Sequence, residues 1–134
     1  MAYENVRLVL PGLRANSTGL ATKQYNFGKL ATTAGQVVIS AALNTTTVAT
    51  TIVGVINNAP GAYDEVEFVV SGVAKVKAAS TALAIGDWVS VNSTGQALKT
   101  TTDNRGVVGR ALEASSAAND IISVLLCAPG GKRY

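Results

Sequence analysis

The stretch NTTTVATTIVGVINNAPGAYDEVEFVV, residues 44–70, decides the fold because much of its pattern occurs twice. It aligns without a gap to KTTTDNRGVVGRALEASSAANDIISVL, residues 99–125, with shared Thr triplets, a shared Val-Gly pair and similar ends. A constant spacing indicates one strand–loop–strand unit used twice. The alternative is chance, because a chain rich in Ala, Thr, Val and Gly supplies some matches by composition alone. No shared position is a nucleophile, a general base or a metal ligand, so the repeat predicts a scaffold.

The residues around the repeat also follow the period of β-strands. In EVEFVVSGVAKVKA, Val66, Phe68 and Val70 share one face, and Gly72 permits a bend with a shift of face. Short strands at near-regular spacing predict an all-β fold. We expect a small β-barrel or sandwich with a possible internal duplication, preceded by an extended N-terminal arm.

The composition is that of one domain with a core of small aliphatic side chains. Of 134 residues, 48% are hydrophobic, 14% charged and 5% aromatic, enough for a sizeable core. A single cysteine, Cys127, forms no internal disulfide, which fits synthesis in a reducing cytoplasm. The pattern predicts neither a signal peptide nor a membrane-spanning segment.

The chain divides by composition into three parts. Residues 1–34 hold isolated basic residues and many large apolar ones, and KQYNFGKL (residues 23–30) alternates as a strand does. We interpret residues 1–34 as an arm, residues 35–128 as a β-barrel body and residues 129–134 as a flexible tail. The alternative for the arm is that it folds back as ordinary strands of the same domain.

The sequence argues against an enzyme, a metal site and a cofactor. It contains no histidine, so the commonest general base and metal-binding imidazole are absent. No glycine-rich phosphate loop is present, and Glu65 and Glu67 are interpreted as a solvated strand face. The basic residues are scattered rather than clustered with stacking aromatics, so direct nucleic-acid binding is not expected.

Several glycines and one aromatic residue are predicted to shape turns and bulges. Asp87 is expected to bind the backbone of its own turn, and Trp88 is expected in the core or at the barrel rim, with an interface anchor as the alternative. The predicted turn and bulge positions are Gly54, Gly72, Gly86, Asp87, Trp88, Gly95 and Gly109.

The order of these elements resembles that of bacteriophage capsid cement, or head decoration, proteins. The resemblance lies in IVGVINNA, VEFVVSGVAKVKA, AIGDWVSVNSTGQALKTTT, GVVGRALEA and the closing IISVLL, and it covers roughly residues 35–127. No single element is diagnostic, but their order is typical. The N-terminal segment looks longer than in the family, which puts its mode of docking in doubt.

The resemblance implies a structural virion protein that binds the outside of the expanded head. It implies a homotrimer that cements neighbouring major capsid protein subunits against internal DNA pressure. On this interpretation the arm contacts the capsid or a sister subunit, and its removal (residues 1–30) leaves a folded body. The expected contact residues are Tyr3, Arg7, Leu8, Leu10, Arg14, Lys23, Tyr25, Phe27 and Lys29.

Two further functions stay open at this point. One is a tail- or fibre-associated β-module for host-surface adhesion, which needs exposed aromatics around a groove. The other is a β-barrel enzyme or protease accessory, which the missing histidine disfavours.

Overall fold

The computed structural model describes residues 7–40, 52–79, 82–100 and 106–132, and these contain ten strands and no helix. The all-β prediction is confirmed. The strands are β1 (Arg7–Leu10), β2 (Arg14–Ala15), β3 (Phe27–Leu30), β4 (Gln36–Ile39), β5 (Val53–Ile56), β6 (Phe68–Lys77), β7 (Trp88–Val91), β8 (Ala97–Lys99), β9 (Gly106–Ala111) and β10 (Ile121–Lys132).

All ten strands belong to one sheet. Its order is β2-β4-β3-β5-β6-β10-β9-β7-β8, and β1 pairs with β6 beside this path. Every ladder is antiparallel except the short one between β2 and β4.

The two copies of the sequence repeat form equivalent strand pairs, β5–β6 and β9–β10. The shared glycine has the same role in both. A Cβ on Gly54 would lie 2.7 Å from the carbonyl oxygen of Val69, and one on Gly109 would collide with the carbonyl oxygen of Leu125. The register differs by one residue, because Val55 pairs with Val69 whereas its counterpart Arg110 pairs with Leu125.

Gly72 changes which face of β6 meets the core. Before Gly72, Val69 is buried in the larger of two core clusters, and after Gly72 that same cluster takes Ala74 and Val76. The core-facing positions therefore change from odd to even residue numbers, a shift of one residue. Gly72 has a φ of 91°, which a residue with a Cβ adopts only at a cost. The predicted bend with a shift of face therefore occurs at this glycine.

Two clusters of buried side chains lie against the sheet. The first core comprises Phe27, Val53, Val55, Val69, Ala74, Val76, Ala78, Leu83, Val89, Val91, Ala97, Val108, Ala111, Ile122, Val124 and Leu126. The second core comprises Ala15, Leu20, Val37, Ile56, Val66, Phe68 and Val70. Strand β5 contributes to both, since Val53 and Val55 face the first core and Ile56 faces the second.

The N-terminal segment is part of the sheet, so the extended arm is not confirmed. Strand β1 pairs with β6, β2 with β4, and β3 lies between β4 and β5. Phe27 is fully buried in the first core, and Leu20 is buried in the second. The apolar residues of this segment serve internal packing, and the alternative of ordinary strands describes residues 7–34.

The sheet curls but is not closed into a barrel. The hairpin β7–β8 lies at one end of the strand order, and its turn contacts β3 near the opposite end. The contact is a backbone hydrogen bond of 2.6 Å from the Phe27 N–H to the Gly95 carbonyl. A single bridge joins Ala78 to Ala97. Within the described residues these are isolated contacts rather than a ladder, so of the expected forms, barrel or sandwich, a closed barrel does not occur.

The backbone of residues 129–132 belongs to β10, where the sequence predicted a flexible tail. Gly131 pairs with Val107 and Lys132 with Gly106, after an irregularity that follows Leu126. The strand continues because β9 supplies a partner beyond the point where β10 leaves β6.

Three turns share one geometry, at residues 61–64, 84–87 and 117–120. In each, the third residue has a positive φ, at 58°, 87° and 67°. The fourth residue is an aspartate whose Oδ2 accepts from the backbone N–H of the first, at 3.1, 2.8 and 3.1 Å. A positive φ at this position is what a type II turn requires. The prediction that Asp87 binds its own turn is confirmed.

In two of these turns, at Asp87 and Asp120, the pKa of the carboxylate is lowered, which favours its charged form. The Ala84 N–H, and then the Lys99 ammonium 3.2 Å away, lower the pKa of Asp87 despite partial burial. The N–H groups of Ser116 and Ala117 lower the pKa of Asp120 in the same way. Hydrogen bonds to a carboxylate favour ionisation because they stabilise its negative charge.

Substitution Asp87→Asn is expected to make stability less dependent on pH. The folded-state pKa of Asp87 is depressed, so its contribution is present above about pH 4 and is lost as pH falls through that folded-state value. Asparagine keeps an acceptor oxygen but not the charge. We expect urea unfolding to show a loss of stability of about 0.5 kcal/mol at neutral pH, as for exposed ion pairs, and a smaller loss at an acid pH below about 4.

The matched control is Asp64→Asn. Asp64 makes the same turn bond, but within the part of the chain that the structure describes it has no ion pair. Its substitution is expected to cost less at neutral pH. A loss for Asp87→Asn that is the same at both pH values would contradict the charge-based account.

Candidate interaction surface

A row of side chains crosses four strands on the exposed side of the sheet. Trp88 pairs with Arg110, Arg110 with Leu125, and Leu125 with Val73. Directly paired residues in antiparallel ladders project to the same face. Their chain neighbours Val89, Ala111 and Val124 are buried in the first core, so this row points away from it.

Two further apolar side chains extend the row. Along β10, Ile121 and Leu125 are exposed while Ile122, Val124 and Leu126 are buried. Leu112 joins the same face, because its N–H donates to the Ser123 carbonyl at 2.9 Å. Lys75 and Ser123 pair with each other two residues along from Val73 and Leu125, so they lie on the same face. We call this surface the outer face; its members are Val73, Lys75, Trp88, Arg110, Leu112, Ile121, Ser123 and Leu125.

The outer face holds half of the exposed large apolar side chains in the described residues, four of eight. Trp88 is 37% exposed and Leu125 is 46% exposed. Scattered apolar residues are normal on a protein surface, but contiguous ones with a Trp and an Arg are typical of an interface.

Arg110 fixes the indole of Trp88. Its guanidinium carbon lies 4.6 Å from the centroid of the Trp88 ring. Its Nε and Nη2 both donate to the carbonyl oxygen of Gly86, at 3.1 and 2.9 Å. The stacked cation and the doubly bound carbonyl hold the ring in one orientation, which lowers the entropy lost when a partner covers it.

The structure separates the predicted contact residues into buried and exposed ones. Phe27 is buried in the first core, and Leu10 packs against the second. Phe27 is therefore not free to contact a partner, while Leu10 is only partly buried. Leu8 is 55% exposed, and Arg7 beside it forms an ion pair of 3.1 Å with Glu67.

The remaining predicted contacts are dispersed. Arg14 is exposed on β2, and Lys29 is half-buried on β3. Lys23 borders a small cleft with Thr94 and Asn119, while Tyr25 borders a separate cleft with Arg7. Tyr3 lies outside the described residues.

The predicted turn and bulge residues are structural, with Trp88 as the exception. Gly86 and Gly95 have positive φ values of 87° and 80°. A Cβ at Gly95 would lie 2.7 Å from the carbonyl oxygen of Phe27, so this glycine permits the contact that curls the sheet. Trp88 is exposed on the outer face, so it is not a core residue, and its role as an interface anchor stays a prediction.

Sequence reasoning missed Leu112, Ile121 and Leu125. The runs around them read as core, because IISVLL contains five apolar residues in six. Their exposure follows from the pairing of β10 with both β6 and β9, which places every second residue outward. Ser123, the single polar residue of this run, is the one signal in it of an outward-facing position.

No group of three or more His, Cys, Asp or Glu side chains in the described residues is arranged to hold a metal ion. The same residues contain no helix of the length and apolarity that a bilayer crossing needs.

Comparison with known proteins identifies the family. A family model described as phage cement protein matches residues 17–126, which is most of the chain. No curated protein and no solved structure matches the chain significantly. The match spans the strands from β3 to β9 and the first half of β10, including every residue of the outer face. The chain therefore belongs to the phage cement protein family, a structural family of the virion that stabilises the capsid.

Proposed function

We propose that this protein binds the outside of the expanded phage head and holds neighbouring major capsid protein subunits together against internal DNA pressure. The outer face is the surface that meets the capsid. The protein is made in the host cytoplasm, acts on the outer capsid surface, and contacts neither nucleic acid nor membrane.

The observation that supports this proposal is the composition of the outer face. Trp88, Ile121 and Leu125 expose apolar area on strands, and Leu112 does so directly after the end of β9. Covering apolar area contributes about 25 cal/mol per Å², and aromatic residues with Arg dominate binding energy at protein interfaces. A surface of this kind fits a flat partner such as a capsid shell.

We further propose that the protein acts as a homotrimer. A trimer that touches several capsid subunits at once makes each later contact effectively intramolecular, so avidity exceeds the affinity of one contact. The exposed Arg14 and the half-buried Lys23 and Lys29, outside the outer face, are then candidates for contacts between copies or with acidic capsid loops.

The proposed function predicts that the protein raises the thermal stability of filled heads. Heads that lack it should release their DNA at a lower temperature, and addition of purified protein should restore retention in a saturable manner. DNA release is followed by the fluorescence of an intercalating dye during heating. A release temperature that does not change at saturating protein would contradict a cementing role.

A further inference from the structure

We propose that a polar cleft beside the outer face receives a carboxylate side chain of the capsid lattice. This inference rests on the proposed function and names the chemistry of one contact within it. The cleft has a volume of about 360 Å³. It is bordered by Arg7, Tyr25, Asn57, Val73, Ala74, Lys75 and Ser123.

Hydrogen-bond donors dominate the free polar groups of the cleft. Arg7 has five N–H donors, of which the ion pair with Glu67 accounts for one contact at 3.1 Å. Lys75 is exposed, and no carboxylate lies within 4.0 Å of its ammonium in the described part of the chain. The hydroxyl groups of Tyr25 and Ser123 add two more donors.

The nearby carboxylates are already bound within the protein. Glu67 Oε1 accepts from Arg7 and, at 3.1 Å, from the amide of Asn57. Glu113 Oε1 accepts from the backbone N–H of Ser123 at 3.1 Å. Lys77 adds a further cation two residues along β6 from Lys75. Arg7 and Glu67 form an ion pair, and the cations Arg7, Lys75 and Lys77 outnumber the carboxylates Glu67 and Glu113. The net charge around the cleft is therefore positive, and a carboxylate is the group that complements it.

Tyr25 is held in a backbone conformation that suits glycine or asparagine better. Its φ is 66°, in the left-handed region, where a bulky residue is uncommon. Hydrogen bonds on both sides hold it there: its N–H donates to Ile56 at 2.7 Å, and its carbonyl accepts from Lys77 at 2.8 Å. The fold does not need an aromatic side chain to make this turn, and Tyr25 borders the cleft, which points to a role for its ring and hydroxyl there.

The cleft and the outer face are continuous. Lys75 pairs directly with Ser123, and the neighbouring pair Val73–Leu125 belongs to the same row as Trp88. A capsid segment that covers Leu125 passes the mouth of the cleft. One apolar contact and one charged contact on the same segment then fix both its position and its direction.

The experiment compares binding to expanded DNA-free shells for wild type and cleft variants. Lys75→Gln is expected to weaken binding about tenfold and Lys75→Glu more, while Lys75→Arg keeps the charge and binds nearly as wild type does. Thr33→Glu, in an exposed turn before β4, lowers the net charge as much as Lys75→Gln and should leave binding unchanged. Tyr25→Asn should weaken binding without lowering the melting temperature, which separates a role in the cleft from a role in folding.

A zero-length cross-link gives a direct readout of the partner group. A carbodiimide joins an ammonium to a touching carboxylate, and mass spectrometry should find Lys75 linked to an Asp or Glu of the shell protein. If wild type binds shells and Lys75→Glu binds equally well, the cleft inference is wrong and the proposed function stands. If wild type does not bind expanded shells, both are wrong.

Discussion

Removal of residues 1–30 is expected to unfold the protein rather than to release a folded body. The deletion removes β1, β2 and β3, so β6 loses one partner and β5 loses one of its two. It also removes Phe27 from the first core and Leu20 from the second. Each fully buried large side chain contributes about 1.5–3 kcal/mol, against a total stability of about 5–15 kcal/mol for a small domain.

Circular dichroism and thermal unfolding test this expectation. The truncated chain should lack a cooperative transition or should aggregate through the exposed Phe68 and Ile56. Two point substitutions in the same segment provide a matched pair: Leu20→Ala, at a buried position, should cost about 2–5 kcal/mol, whereas Leu8→Ala, at an exposed one, should cost little. A truncated protein with a cooperative melt near that of wild type would show that the segment is a separable arm after all.

Substitution of Leu125 by Asp should abolish head binding and leave the fold intact. Leu125 lies at the centre of the outer face, between Val73 and Arg110, and is 46% exposed. A carboxylate there costs little in the free protein, but covering it with an apolar partner leaves a charge without hydration. Loss of a central interface contact costs 2 kcal/mol or more, which is about thirtyfold in affinity.

Ile52→Asp is the matched control for the outer face. Ile52 is 43% exposed, nearly as much as Leu125, but it lies beside β3 and outside the row through Trp88. Both variants should unfold at similar denaturant concentrations, and only Leu125→Asp should fail to sediment with shells. Equal binding by the two variants would place the capsid contact on another surface.

The sequence predicted the strands well because β-strands leave a local pattern. Alternation in β6 and the interruption at Gly72 are visible in the chain itself, and the repeat anticipated the pairs β5–β6 and β9–β10. The aspartate turns were foreseen only at Asp87. The matching roles of Asp64 and Asp120 follow a spacing one residue longer than that of the repeat, so the alignment did not bring them together.

The sequence left the N-terminal segment open between an arm and ordinary strands because long-range pairing has no local signal. The strand pattern of residues 23–30 was recognised, but nothing in it states that β3 inserts between β4 and β5. Phe27 therefore looked like a free anchor and is a core residue. The outer face was missed for the same reason, since an outward Leu in β10 and a buried one differ only in register.

The central claim is that this protein recognises the expanded head through its outer face. The most direct test is co-sedimentation of the purified protein with matched DNA-free shells in the expanded and the unexpanded state. The account predicts saturable binding to expanded shells, little binding to unexpanded ones, and loss of binding with Leu125→Asp. Absence of wild-type binding to expanded shells would contradict it.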